Sequence, residues 1–160
     1  MGLDRDPRPG LDPQRPPVPR RALHAPEVLN EATEYARPSS FSRGIRLEPA
    51  DASWLFLSGT ASVDEQGRTA HEGDFQAQCL RTFRNLTRLL AGAGASWHDV
   101  VRTTCYLQDI DRDYAAFNGL RTAFYAAAGM APIPASTAIQ ARLCRPDLLV
   151  EIELIAAVPR

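Results

Sequence analysis

Only two amphipathic helical patterns stand among at least five strand patterns in this chain, and that ratio limits how it can fold. Phe41, Arg43, Ile45 and Leu47 alternate with Ser42, Gly44 and Arg46, a period of two that predicts a first strand. Pro49-Ala50-Asp51 breaks it, and residues 54–58 give a second strand, so the pair reads as a hairpin. Residues 64–67 form a turn, with a short third strand expected near Thr69. Asp74 is placed to cap a helix running to about Leu90, in which Phe75, Cys79, Phe83, Leu86 and Leu90 make one buried stripe and Gly92-Ala93-Gly94 ends the run. The β-branched stretch Val100–Leu107 reads as a strand. Asp113 or Asp111 caps a second helix through about Ala127, buried through Tyr114, Phe117, Leu120 or Arg121, and Phe124, and Gly129 stops it. Residues 136–143 and 148–158 are the last strands, joined by the turn Arg145-Pro146-Asp147. The order ββ(β)αβαββ has too few helices to cover both sheet faces. Both helices are expected on one face, leaving the other to neighbouring subunits.

The regular patterns begin only after a segment of different composition. Residues 1–26 hold seven of the thirteen prolines and many charges, with almost no apolar periodicity. Such a segment buries too little to offset its ordering entropy, so residues 1–25 are expected to be a disordered tail and 26–160 the folded domain. A chain of 160 residues fits that one domain plus a tail. Net charge is −1, which offers no basic field for nucleic acid. No apolar run approaches the ~20 residues that span a membrane, and no secretory leader is visible, so a cytoplasmic location is expected.

The chain contains no lysine; all 18 basic residues are arginine. Schiff-base chemistry on a lysine amine, pyridoxal phosphate anchoring and a phosphate-binding P-loop are excluded. Any side-chain cation in a site other than histidine must be arginine, which fits planar carboxylates and cannot act as a base. Cys79, Cys105 and Cys144 lie too far apart for a zinc pattern or a disulfide framework, and read as free thiols. His24, His71 and His98 show no metal-ligand spacing. No cofactor and no metal are expected.

Five pieces, in order, carry a resemblance. They are the strand end Ser58-Gly59; Gly94-Ala95-Ser96 leading into residues 99–104; residues 106–111; Tyr114-Ala115-Ala116-Phe117-Asn118; and Val150-Glu151-Ile152-Glu153. Together they resemble the RidA/YjgF family over about residues 30–158. The resemblance implies a chorismate-mutase-like α+β fold, a mixed sheet with two helices packed on one face, assembled as a homotrimer with clefts between subunits. It implies hydrolysis of reactive enamines or imines of amino acids to 2-oxo acids and ammonia. In typical members an arginine on the penultimate strand pairs with the substrate carboxylate; that position is Ser136 here. The usual first-strand tyrosine corresponds to Phe41, and the glutamate to Glu151. Residues 58–62, 71–74 and 144–153 are also similar to chorismatases, which release pyruvate from an enol ether with a glutamate as the acid.

Both reactions need an acid that protonates an electron-rich C=C bond, and Glu151 is the candidate. Strand alternation puts Glu153 on the same face, as its rival. A carboxylate-bearing substrate needs a cation in place of the missing arginine. Arg145 is the first candidate and Arg142 the second, with Arg43 and Arg46 behind them. Ser136, Ser58 and Thr60 offer hydroxyls, and Gly59 allows a ligand close to the backbone. The expected function is therefore cofactor-free acid–base hydrolysis of a small carboxylated metabolite. The alternatives are a chorismatase-like lyase, a dehydratase or cyclase, or a non-catalytic metabolite-binding trimer. Ribonuclease activity, sometimes attached to this family, is disfavoured by the charge balance.

Overall fold

The computed structural model describes residues 20–31, 34, 42–49 and 52–159. Six strands form one mixed sheet: β1 (Arg20–Ala22), β2 (Gly44–Leu47), β3 (Ala52–Ala61), β4 (Val100–Leu107), β5 (Ala135–Gln140) and β6 (Val150–Pro159). Two helices, α1 (Phe75–Gly92) and α2 (Ile110–Ala127), and a short 3-10 turn (Trp97–Asp99) complete the elements. The spatial order is β1-β2-β3-β6-β4-β5, so the last strand is inserted at the centre. Only the β4–β5 pair is parallel, as its crossover through α2 requires.

The expected hairpin is present, with Ile45 opposite Phe56. Its first strand begins at Gly44; Phe41 lies outside the described residues. The third strand expected near Thr69 is a single bridge from Val63 to Thr69, because the turn between them leaves no length for a ladder. Residues 1–19 lie outside the described residues, but the expected boundary at 25 moves for the rest. Backbone pairing of Arg20–Ala22 with β2 satisfies the sheet edge, and Leu23 and Ala25 are buried in the core.

Helix α1 follows its sequence pattern. The Asp74 side chain accepts from the Ala77 N–H, and Cys79, Phe83, Leu86 and Leu90 are buried. Gln78, Thr82, Asn85 and Leu89 are buried too, so the covered face is wider than the apolar stripe. Helix α2 is capped by Asp109, two residues before Asp111 and four before Asp113, the two expected caps: Asp109 accepts from the Arg112 N–H, and Asp113 is instead buried beneath an ion pair with Arg112 at 2.6 Å. Phe117 is fully buried, whereas Tyr114 is 44% exposed.

Both helices cover the same sheet face. Leu55 and Leu57 of β3, Cys105 and Leu107 of β4, and Val150, Ile152, Leu154 and Ala156 of β6 point into that core. Phe83 stacks on Phe124 at 4.6 Å between centroids, and Trp97 meets both edge-on. The opposite face carries Trp54, Phe56 and Ile139, each about 40% exposed. No described helix is long and apolar enough to cross a membrane.

Candidate functional site

Glu151 sits where two buried amides of α1 fix the backbone around it. Asn85 Nδ2 donates to the carbonyls of Ala61 and Val63, both at 3.0 Å, and Ala61 is the residue paired with Glu151. Gln78 Nε2 donates to the Asp147 carbonyl at 2.8 Å, while its Oε1 accepts from the Leu149 N–H at 2.9 Å. The strand end of β3 and the turn before β6 are thereby tied to one helix. Buried amides are costly unless satisfied, so these bonds also select one geometry.

The register of β3 and β6 slips between Leu57 and Thr60, at Gly59. The Glu151 carboxyl lies over that irregularity. A Cβ placed on Gly59 would fall 2.0 Å from Glu151 Oε1, so only glycine leaves room for the acid. The carboxyl is half-buried, and among the described residues it accepts no hydrogen bond and makes no ion pair. Burial pushes its pKa up, the Glu153 charge adds to this, and Arg145 pulls the other way. Glu153 is on the same face, as strand alternation predicts. The Tyr106 phenol is pushed up by burial and then by the Glu153 carboxylate.

The remaining sequence candidates separate into two groups. Ser58 donates to the Ser42 carbonyl at 2.8 Å and Thr60 to the Ser58 carbonyl at 3.0 Å, so both hydroxyls brace the strand end beside Gly59. Arg145 donates to the Gly67 carbonyl at 2.6 Å, anchoring the turn at 64–69 near Glu151. Arg43 is buried and donates to the Asn30 carbonyl; Arg46 donates to the Ala93 carbonyl at the end of α1. Arg142 is exposed, with no hydrogen bond or ion pair among the described residues.

Ser136 is not beside Glu151. It pairs with Thr103, whose partner on the other side is Leu154, a residue of the helix-covered face; Glu151 pairs with Tyr106, three residues further along β4. An odd offset on a strand means opposite faces. Ser136 Oγ accepts from Arg121 Nη1 at 2.9 Å and from Thr103 Oγ1 at 3.0 Å. Arg121 Nη2 donates to Asn118 Oδ1 at 2.8 Å, and its guanidinium lies 5.1 Å from the Phe117 ring centroid. Asn118, Arg121 and Ser136 line a cavity of about 340 Å³ between α2 and β5, walled by Tyr125, Met130 and Ile133. Arg121 was assigned in sequence only a share of the helix's buried face. The signal that could have found it is its spacing: three residues after Asn118, it shares that residue's side of α2.

A second cavity, of about 160 Å³, opens on the uncovered face between Phe56, Arg102, Thr104 and Glu153. No cluster of metal-ligating side chains occurs among the described residues. Cys79 and Cys105 are buried thiols, the former pushed up to about 12 by burial, so neither is a ready nucleophile.

The sequence profile described as Endoribonuclease L-PSP matches residues 34–158. A RutC family protein of Synechocystis sp. is 33% identical over 107 residues, covering 66% of this chain and 79% of that protein. The 3-aminoacrylate deaminase RutC of Acinetobacter baylyi is 31% identical over 104 residues, covering 65% of this chain and 79% of that protein. The crystal structure of E. coli TdcF with bound serine superposes with a TM-score of 0.68 at 21% identity, over 88% of this chain and 99% of that one. With a match across most of its length and the α+β architecture to go with it, the chain belongs to the Endoribonuclease L-PSP family, the RidA/YjgF family that its motifs resemble.

Proposed function

We propose that this protein hydrolyses a small enamine or imine without a cofactor, with Glu151 as the group that moves protons. A deaminase-type role is supported at the level of the family by the 3-aminoacrylate deaminase relative. For this chain the supporting observation is the Glu151 carboxyl itself: half-buried, without a hydrogen-bond partner among the described residues, its pKa raised, and given room by Gly59. Glu153 is the weaker candidate because the room left by Gly59 is taken by Glu151.

Burial raises the Glu151 pKa above the ordinary glutamate value, which favours the protonated acid the first step needs. Neutral Glu151 gives its proton to the terminal carbon of the enamine; the C=C electron pair forms the new C–H bond and an iminium results. The carboxylate left behind takes a proton from water as the water oxygen attacks the iminium carbon. That proton then passes to nitrogen, the C–N bond breaks, and ammonia leaves with the bonding pair. Loss of the hydroxyl proton to Glu151 gives the 2-oxo acid and restores the acid. An imine substrate takes the Glu151 proton on its nitrogen instead of on carbon, giving the same iminium and carboxylate, and then follows the second step. Ser58 and Thr60 hold the strand end that sets the Glu151 geometry, and Arg145 tempers its pKa.

The substrate is a small carboxylate, and the working form is a homotrimer in the cytoplasm. The exposed Trp54, Phe56 and Ile139 on the uncovered sheet face favour self-association, since a patch of that kind is costly in water. The test is turnover of freshly generated 2-aminoacrylate, 2-iminobutyrate and 3-aminoacrylate by wild type and Glu151→Gln. Loss of about a hundred- to ten-thousand-fold in Glu151→Gln is expected for an essential acid. Equal turnover in the two proteins removes Glu151 from the mechanism. Binding without any turnover makes the protein a metabolite-binding trimer.

A further inference from the structure

We infer that Arg102, Thr104 and Glu153 on the uncovered sheet face form a binding site for a small zwitterion, an α-amino acid of the size of alanine or serine, in the cavity of about 160 Å³ between β3, β4 and β6. The inference goes beyond the proposed reaction and does not rest on it.

Two opposite charges share this cavity without meeting. Strand register sets Arg102 opposite Ile155 and Thr104 opposite Glu153, so Arg102 and Glu153 are diagonal neighbours on one face. Side chains at such positions start about 7–8 Å apart, within reach of an arginine. Arg68, Arg81, Arg88 and Arg112 each face a carboxylate in this way or along a helix or turn. Arg102 instead turns toward the sheet edge, where its Nη2 donates to Thr137 Oγ1 at 3.2 Å. Glu153 makes no ion pair among the described residues. A guanidinium has five N–H donors in a planar fork, so most of those of Arg102 remain for a ligand.

The gap between the charges has a backbone cause. On β3, Leu57 pairs with Leu154 and Thr60 with Ile152, so no residue of β3 stands in register with Glu153. The slipped register leaves Glu153 without a cross-strand neighbour on that side. Leu57 and Leu154 point into the helix-covered core, and their backbone makes the floor of the cavity. Phe56 and Ile155, which pair across β3 and β6, form an apolar wall. All of these groups belong to one copy. Copies laid on this face would enclose the cavity rather than complete it.

The charges choose the class of ligand. A simple anion on Arg102 is repelled by the Glu153 carboxylate, and a simple cation on Glu153 by the guanidinium. A molecule with both charges satisfies both: carboxylate on Arg102 and ammonium on Glu153, each through charge-assisted hydrogen bonds. Thr104, opposite Glu153 and two residues from Arg102, offers a hydroxyl between them. Size narrows the class further. A cavity of about 150 Å³ admits benzene, and alanine and serine have about as many non-hydrogen atoms. The side chain of such an amino acid lies on the Phe56–Ile155 wall, which favours a short, uncharged one.

Calorimetric titration of the full chain tests the site. L-alanine is expected to bind at least about tenfold more tightly than propionate, which lacks the ammonium, or ethylamine, which lacks the carboxylate. Arg102→Met and Glu153→Gln are each expected to lower the affinity for L-alanine about 10- to 100-fold. Arg84→Met, on the exposed side of α1, is a control that binds like wild type. Arg102→Gln serves if Arg102→Met does not fold. Arg121→Met is expected to keep this binding, because Arg121 lines the cavity on the other side of the sheet. Failure of the wild type to bind L-alanine overturns the inference, as does equal affinity for propionate. So does a loss confined to Arg121→Met or Glu151→Gln, which would put the amino acid elsewhere. If Glu151→Gln retains full turnover, the proposed acid fails while the result for Arg102 and Glu153 stands.

Discussion

Glu151 and Ser136 occupy the two faces of the same sheet, and their surroundings differ in kind. On the covered face Ser136 joins a dense set of partners: Arg121, Thr103 and the Cys105 sulfur. On the open face Glu151 has a glycine beneath it and no hydrogen-bond partner among the described residues. Ser136 itself is exposed at the β5 edge, so its geometry is fixed by these hydrogen bonds and not by burial. The open face tolerates an unsatisfied carboxyl because it is only half-buried, and such a group is available for chemistry.

The largest test of that contrast is on β6, where neighbours alternate between faces. Leu154→Ala removes a fully buried side chain and is expected to cost about 2–5 kcal/mol; Ile155→Ala, half-buried on the open face, is expected to cost less than half as much. Urea denaturation of both variants measures it, and equal costs would mean that the open face is packed as tightly as the core.

Gly59→Ala is expected to leave stability nearly intact and reduce turnover by up to about 100-fold. The new methyl meets the mobile end of Glu151, which can swing away, and a misplacement of that size is enough to spoil a proton transfer. A variant with unchanged kcat would show that the position of Glu151 over Gly59 is not the working one.

Gln78→Leu keeps the volume but orphans the Leu149 N–H and the Asp147 carbonyl. A loss of about 1–3 kcal/mol is expected, with a fall in turnover from the loosened start of β6. Stability lost without any change in turnover would separate the α1 amides from the site.

The smallest effect is on stability against pH. The folded-state pKa of Glu151 is raised by burial above the ordinary glutamate value of 4.5, so the folded protein holds that proton more tightly than the unfolded chain. The contribution is fully present below 4.5 and is lost as pH rises through the raised value. Glu151→Gln, which cannot ionise, is therefore expected to melt above wild type at neutral pH and to lose that advantage on acidification. Parallel melting curves from pH 4 to 8 would contradict a raised pKa.

Much of the fold was legible from near neighbours in sequence. The α1 stripe and its Asp74 cap, the extent of Val100–Leu107, and the shared face of Glu151 and Glu153 all follow from periods of 3.6 and 2. The α2 cap was misplaced because Asp109, Asp111 and Asp113 are equivalent by local rules; the turn leaving β4 selects Asp109. The packing of residues 20–25 was hidden by proline and arginine around a few apolar residues.

The candidate site was legible only in part. Sequence alone determined that any side-chain cation in the site other than histidine must be arginine, that Glu151 and Glu153 share a face, and that two helices leave one sheet face to be covered otherwise. Tertiary structure decided the rest: that β6 enters between β3 and β4, that Gly59 lies beneath Glu151, and that Arg121, not Arg142 or Arg145, reaches Ser136. The physical reason is range. Periodicity is set by the geometry of adjacent peptide units, whereas the pairing of β3 with β6 and the approach of α2 to β5 join residues far apart in the chain, and no local pattern encodes which of several arginines will arrive there.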